Sequence, residues 1–180
     1  MASLAAADDK AYRSACAGML DRFAKTTDPA VARRVVVNCV AAPKAVPNPN
    51  RLITLAELAC ATDRVSHLGV LGAAYYRAGQ TAHALNCFTE KPRSPPRAWD
   101  WLFEAMTHQG LGERAAAREC VSRAEKWLAI VGPPGPDDQT KPIPRWYNWQ
   151  DEVAARFLHR EAQEMLEKDS KVRESEKQRE

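Results

Sequence analysis

The chain has 180 residues, enough for one domain with a real core and too few for a second large one. Its 26 basic and 23 acidic residues leave a net charge of +3 with the signs mixed along the chain, which predicts solubility and lacks the basic stripe of a nucleic-acid binder. No apolar run nears the ~20 residues needed to span a bilayer, so neither nucleic acid nor membrane is expected as a partner.

The longest apolar run, VVVNCVAA, is short and directly follows Arg33-Arg34. Five cysteines (Cys16, Cys39, Cys60, Cys87, Cys120) lie far apart with no CxxC pair, and MASLAAADDK lacks the basic-then-apolar pattern of an export signal. Both features predict reduced thiols in a cytoplasmic protein.

In chain order, Tyr12, Cys16, Met19/Leu20 and Phe23 recur at helical steps and form one apolar stripe, with Asp8 or Asp9 available as cap. Thr27-Asp28-Pro29 announces a second helix, because aspartate accepts the free N–H groups of a first turn and proline fits its first position. That helix runs through VARRVVVNCVAA and stops before Pro43; VVV has no partner strand. PKAVPNPN is a loop, and Asn48-Pro49 starts a helix carrying Leu52, Leu55, Ala56, Ala59 and Cys60. The stretch LGAAYYRAGQTAHALNCF then gives two amphipathic runs broken at Gly79, the pattern of a helical hairpin with glycine in the left-handed turn. Small residues at Gly72 and Ala84 let its helices approach, with Tyr75 and Phe88 filling the space to either side.

Shifting the chain by 33 residues pairs Leu68 with Trp101, Gly72 with Ala105, Tyr75 with His108, Gly79 with Gly112, Ala84 with Ala117 and Phe88 with Val121. Leu68-x2-Leu71-Gly72-x2-Tyr75, followed by Ala84-x3-Phe88 and Pro96, resembles the tetratricopeptide repeat (TPR), a helix-turn-helix unit of about 34 residues. The second copy keeps Trp101, Ala105, Gly112, Ala117 and Ala124 but has Glu104 and His108 where the family prefers leucine and tyrosine. One step back, Val35 and Cys39 take the places of Leu68 and Gly72; with about five residues added in the Pro-rich turn, Ala56 and Cys60 align with Ala84 and Phe88. In more detail MLDRFAKTTDP, RLITLAELA, YRAGQ, AWDWLFEAM and LGERAAAREC resemble the helical repeat segments attached to bacterial serine/threonine kinases and WD40 proteins. No glycine-rich nucleotide loop, HRD-type loop or DFG occurs, so the kinase chemistry does not carry over.

The organisation expected is an all-α, right-handed TPR-like array of antiparallel hairpins over residues 1–166: an N-terminal helix, a degenerate repeat at 28–62, repeats at 65–97 and 98–130, a loop at 131–145 and a capping helix at 146–166. The loop GPPGPDDQTKPIP holds five prolines and two glycines. Val153, Phe157, Leu158, Ala162, Met165 and Leu166 make the stripe of the capping helix, with Trp146 and Trp149 pinning its start. Residues 167–180 are a charged tail, read as a frayed or exposed helical extension.

Little in this chain has the pattern of an active site. His83 and Cys87 stand at i, i+4, as two zinc ligands would, but Cys60 and His108, their nearest complements, belong to other hairpins. No feature activates a Cys-His nucleophilic pair. Carboxylates sit beside Arg or Lys, as in Glu113-Arg114 and Glu125-Lys126, the signature of a solvated face. No catalytic residue, metal or cofactor is therefore expected. Lys91-Pro92-Arg93-Ser94-Pro95-Pro96-Arg97 contains a literal PxxPxR, the form of ligand that aromatic grooves read in a polyproline helix, yet its prolines fall where one repeat ends and the next begins. Trp99 and Trp101 are about 200° apart on a helix, so by the register Trp101 is core and Trp99 is left for the groove or surface.

The resemblance also implies a site. In TPR arrays the first helices of successive hairpins line a concave groove that holds a peptide or partner helix. The matching positions here are Ser66, Gly69, Ala73, Tyr76 and Arg77, then Trp99, Leu102, Met106, Gln109 and Gly110. An aromatic, a guanidinium and a methionine suit a ligand bearing an acidic group. Ala73 and Met106 stand where carboxylate-clamp arrays carry asparagine, which argues against a chaperone-tail receptor; the alternative is that the first or last helix covers these residues. The expected function is a non-enzymatic protein–protein interaction scaffold, with a regulatory or assembly segment acting by self-association as the alternative. A Cys/His enzyme or metal protein ranks below both.

Overall fold

The computed structural model describes residues 8–90, 97–131 and 149–177, and these form eight α-helices and no strand. They are α1 (Asp9–Phe23), α2 (Pro29–Val40), α3 (Asn50–Cys60), α4 (Arg64–Arg77), α5 (Thr81–Glu90), α6 (Ala98–Gly110), α7 (Arg114–Val131) and α8 (Trp149–Lys177). The start signals act as expected. Asp8 accepts from the Ala11 N–H, Asp28 accepts from Ala30 and Val31 with Pro29 opening α2, and Asn48 accepts from the Asn50 N–H. The Lys91–Pro96 part of the PxxPxR stretch, most of the 131–145 loop and Trp146 lie outside the described residues.

The two hairpin turns are built alike. Gly79 (φ 76°) and Gly112 (φ 80°) take the left-handed conformation. In the first turn the Gly79 N–H donates to the Tyr76 carbonyl and Gln80 to Tyr75; in the second Gly112 donates to Gln109 and Glu113 to His108. These two bonds thus recur at the 33-residue shift, and the second turn adds one from the Arg114 N–H to the Gly112 carbonyl. Each helix packs on the next from α1 to α7, while α2, α4 and α6 also touch in succession. The core runs between these layers, with Leu20, Leu52, Leu68, Leu102, Phe103, Met106 and Leu158 fully buried.

Three expectations change. Phe88 fills the space directly across from Gly72, since a Cβ there would lie 2.8 Å from the ring, so the glycine makes room for an aromatic edge rather than for a second backbone. Trp101 is only half-buried, whereas Trp99 is 9% exposed and stacks edge-on against Phe103 with centroids 5.8 Å apart. Both tryptophans contact protein because α6 is central, with α4, α5, α7 and α8 around it. The third change lies at the C-terminus, where the tail is a helical extension to Lys177, as read, but is held at Asp169, which pairs with Arg114.

Gly72→Val is expected to lower stability by about 1–3 kcal/mol through overpacking against Phe88. Gly18→Ala, in an exposed helical position with nothing within 4 Å, should raise it by about 0.5–1 kcal/mol. Urea midpoints at unchanged slope would measure both.

Candidate functional site

The α4 and α6 residues expected to line a groove meet the C-terminal helix. α8 lies along α6 and also touches α7, and its Ala155, Leu158 and Ala162 are buried. On α6, Leu102 and Met106 share a face with Phe103 and are 0% and 1% exposed. Gln109 is half-buried at the end of that helix, on the side facing Asp169 of α8. Arg114 binds that carboxylate and contributes most to holding Asp169 below the usual carboxylate range.

Arg77 is the centre of the arrangement. Its guanidinium grips both oxygens of Glu161 at 2.6 and 2.8 Å, and its Nε donates to the Val40 carbonyl at 2.8 Å. That carbonyl belongs to the last turn of α2, where no intrahelical donor is available and the helix dipole favours a cation. The Arg77 side chain is 7% exposed and Glu161 19%, and the guanidinium carbon stands 5.1 Å from the centre of the Phe103 ring. Beside it the Tyr76 hydroxyl donates to the Met165 sulfur at 3.4 Å, and the Tyr76 ring meets Phe103 edge-on at 5.8 Å. Burial, reinforced by the charge of Glu161, pushes the Tyr76 phenol up to about 12.

Of the predicted groove residues, Tyr76 and Arg77 therefore engage α8 by named polar contacts, while Leu102 and Met106 supply buried surface on the helix that α8 follows. Trp99 supports Phe103 from the first turn of α6. Ser66 is exposed in the first turn of α4, where its N–H is capped by Asp63. Phe103, absent from the predicted set, joins Tyr76, Arg77 and Trp99 into one unit.

The scattered thiols and histidines divide differently from what spacing suggests. Cys60, His83 and Cys87 line one cavity of about 470 Å³ together with Glu57, Arg64 and Tyr75. Their neighbours are already engaged, for Arg64 pairs with Glu90 at 2.9 Å, Tyr75 donates to Glu57 at 3.4 Å, and His83 stacks on Tyr75. All five cysteines are free thiols and buried. Burial raises the Cys87 thiol from 9.0 to about 11, the opposite of nucleophile activation. Cys87 should consequently alkylate about 100-fold more slowly in the native chain than in urea at pH 7, given the smaller thiolate fraction; mass spectrometry of the labelled peptide would measure it.

No helix among the described residues is long and apolar enough to cross a membrane. Comparison with protein-family models, with curated proteins and with solved structures found no match to this chain.

Proposed function

We propose that this chain is a non-enzymatic interaction module, a right-handed TPR-like array whose groove along α4 and α6 binds an amphipathic helix bearing an acidic residue. Support for the repeat architecture comes from the two similarly bonded glycine turns and from the successive contacts of α2, α4 and α6. The observation that carries the binding function is the two-pronged Arg77–Glu161 pair, in which a groove guanidinium holds the carboxylate of a helix whose apolar face packs along α6. In this reading α8 is the groove's resident helix, and a partner competes with it by presenting the same carboxylate and apolar stripe. The alternative of self-association draws no support from Trp99, which is 9% exposed and packed on Phe103.

A pull-down from native cell extract tests the proposal. Glu161→Ala, which frees the guanidinium and loosens α8, is expected to retain more partner than the wild type. Tyr76→Ala/Arg77→Ala/Trp99→Ala should retain none while circular dichroism still shows helix. Equal retention by all three proteins would refute the groove as the binding surface.

A further inference from the structure

We infer that Glu104, His108 and Cys120 form a zinc site between α6 and α7, on a face of α6 separate from the groove. Glu104 and His108 are one turn apart on α6, and Cys120 stands across the hairpin on α7. One ligand atom from each lies within 4.8 Å of the others, and no other His, Cys, Asp or Glu trio among the described residues converges in this way. Glu104 Oε1 and His108 Nε2 are already 3.8 Å apart. Ligand atoms around a tetrahedral zinc with bonds of about 2.0–2.3 Å stand about 3.5 Å apart, so closing the set takes only side-chain rotation.

The surroundings suit a metal ligand set. The other nitrogen of His108, Nδ1, lies 2.6 Å from the Glu113 carboxylate. With a metal at Nε2, Nδ1–H would donate to Glu113, the carboxylate–histidine arrangement that orients metal-binding imidazoles. On binding, the Cys120 thiol releases its proton to solvent as the sulfur–metal bond forms. One carboxylate and one thiolate then balance a dication at a partly buried position. A set of sulfur, imidazole nitrogen and one carboxylate favours zinc over magnesium or calcium, and three protein ligands leave a fourth position for water or for a donor from a partner. Arg123, one turn beyond Cys120, is engaged by Glu119.

The first repeat serves as an internal control. At the 33-residue shift Glu104, His108 and Cys120 correspond to Leu71, Tyr75 and Cys87. The cysteine is present in both hairpins, while the two α6 positions carry ligands only in the second, which are the same two residues that depart from the repeat pattern. An ordinary hairpin of this type thus packs with leucine and tyrosine there, and packing alone does not call for glutamate and histidine.

The test uses the full chain, freed of metal by chelator and kept reduced. Zinc is expected to bind at one equivalent by calorimetry, and cobalt to give a thiolate-to-metal absorption band that zinc abolishes. Cys120→Ala and Glu104→Leu/His108→Tyr, the latter restoring the first repeat's residues, should each weaken binding by more than about 100-fold, and Glu113→Gln by about 10–100-fold. Circular dichroism verifies helicity; if the double variant loses it, Cys120→Ala carries the test. The inference is overturned if zinc does not bind stoichiometrically or if cobalt gives no thiolate band. It is equally overturned if binding survives Cys120→Ala and disappears in Cys60→Ala/Cys87→Ala, which would move the metal to the neighbouring cavity.

Discussion

Phe103→Ala should cost about 3–5 kcal/mol of stability, the largest loss expected from any single truncation in this chain. The side chain is 0% exposed and the largest of the fully buried ones. Its ring also meets Tyr76 and Trp99 edge-on and lies under the Arg77 guanidinium, so the cavity opens beneath three predicted groove residues at once. Phe103→Leu keeps most of the volume and is expected to recover more than half of the loss while leaving Arg77 without its aromatic face. Urea unfolding measures the first effect. A loss below about 1 kcal/mol for the alanine variant would mean that the site collapses around the gap, against the tight packing described above.

The second large effect concerns the pair that holds α8. Removing one partner of a buried ion pair leaves the other charge desolvated, at a cost of about 3–5 kcal/mol in fully buried cases. Glu161→Ala leaves the 7%-exposed guanidinium with only the Val40 carbonyl, whereas Arg77→Ala leaves a carboxylate that is 19% exposed and closer to water. Glu161→Ala is therefore expected to cost about 3 kcal/mol unless α8 detaches, and Arg77→Ala somewhat less. The double variant Arg77→Met/Glu161→Leu should recover most of either loss, because an apolar pair of similar volume carries no unpaired charge. Hydrogen exchange distinguishes global destabilisation from release of one element. Release predicts faster exchange confined to α8, with α2 to α5 unchanged.

Much of the helical framework is legible in the sequence because its signals are local. Asp28-Pro29 starts a helix by satisfying its own first turn, and Gly79 and Gly112 end two helices because the required φ is positive. The position of α8 has no such signal. Its apolar stripe is plain, but the pairing of Glu161 with Arg77 spans 84 residues, and periodicity cannot say which face of which helix a stripe will cover. The same limit hid Phe103 in the largely apolar run AWDWLF, where Trp99 and Trp101 draw attention first. The Glu104–His108–Cys120 set was half visible, since two of its members break the repeat pattern. The third comes from the opposite helix of the hairpin, which spacing along one helix does not reach. His83 and Cys87, correctly spaced on one helix, instead face a cavity in which Arg64 is paired with Glu90 and Tyr75 with Glu57.

The central claim is that the α4–α6 groove is a helix receptor, and one titration addresses it most directly. A fluorescent peptide of residues 149–177 is added to the full chain and its anisotropy followed. The wild type should bind it weakly, because its own α8 competes at the high effective concentration of a tethered ligand. The Glu161→Ala chain, with Arg77 intact and its own carboxylate missing, should bind the peptide at least about tenfold more tightly. Tyr76→Ala/Arg77→Ala/Trp99→Ala should not bind it. Equal affinity for all three chains, or no binding to Glu161→Ala while its other helices stay folded, would contradict the account.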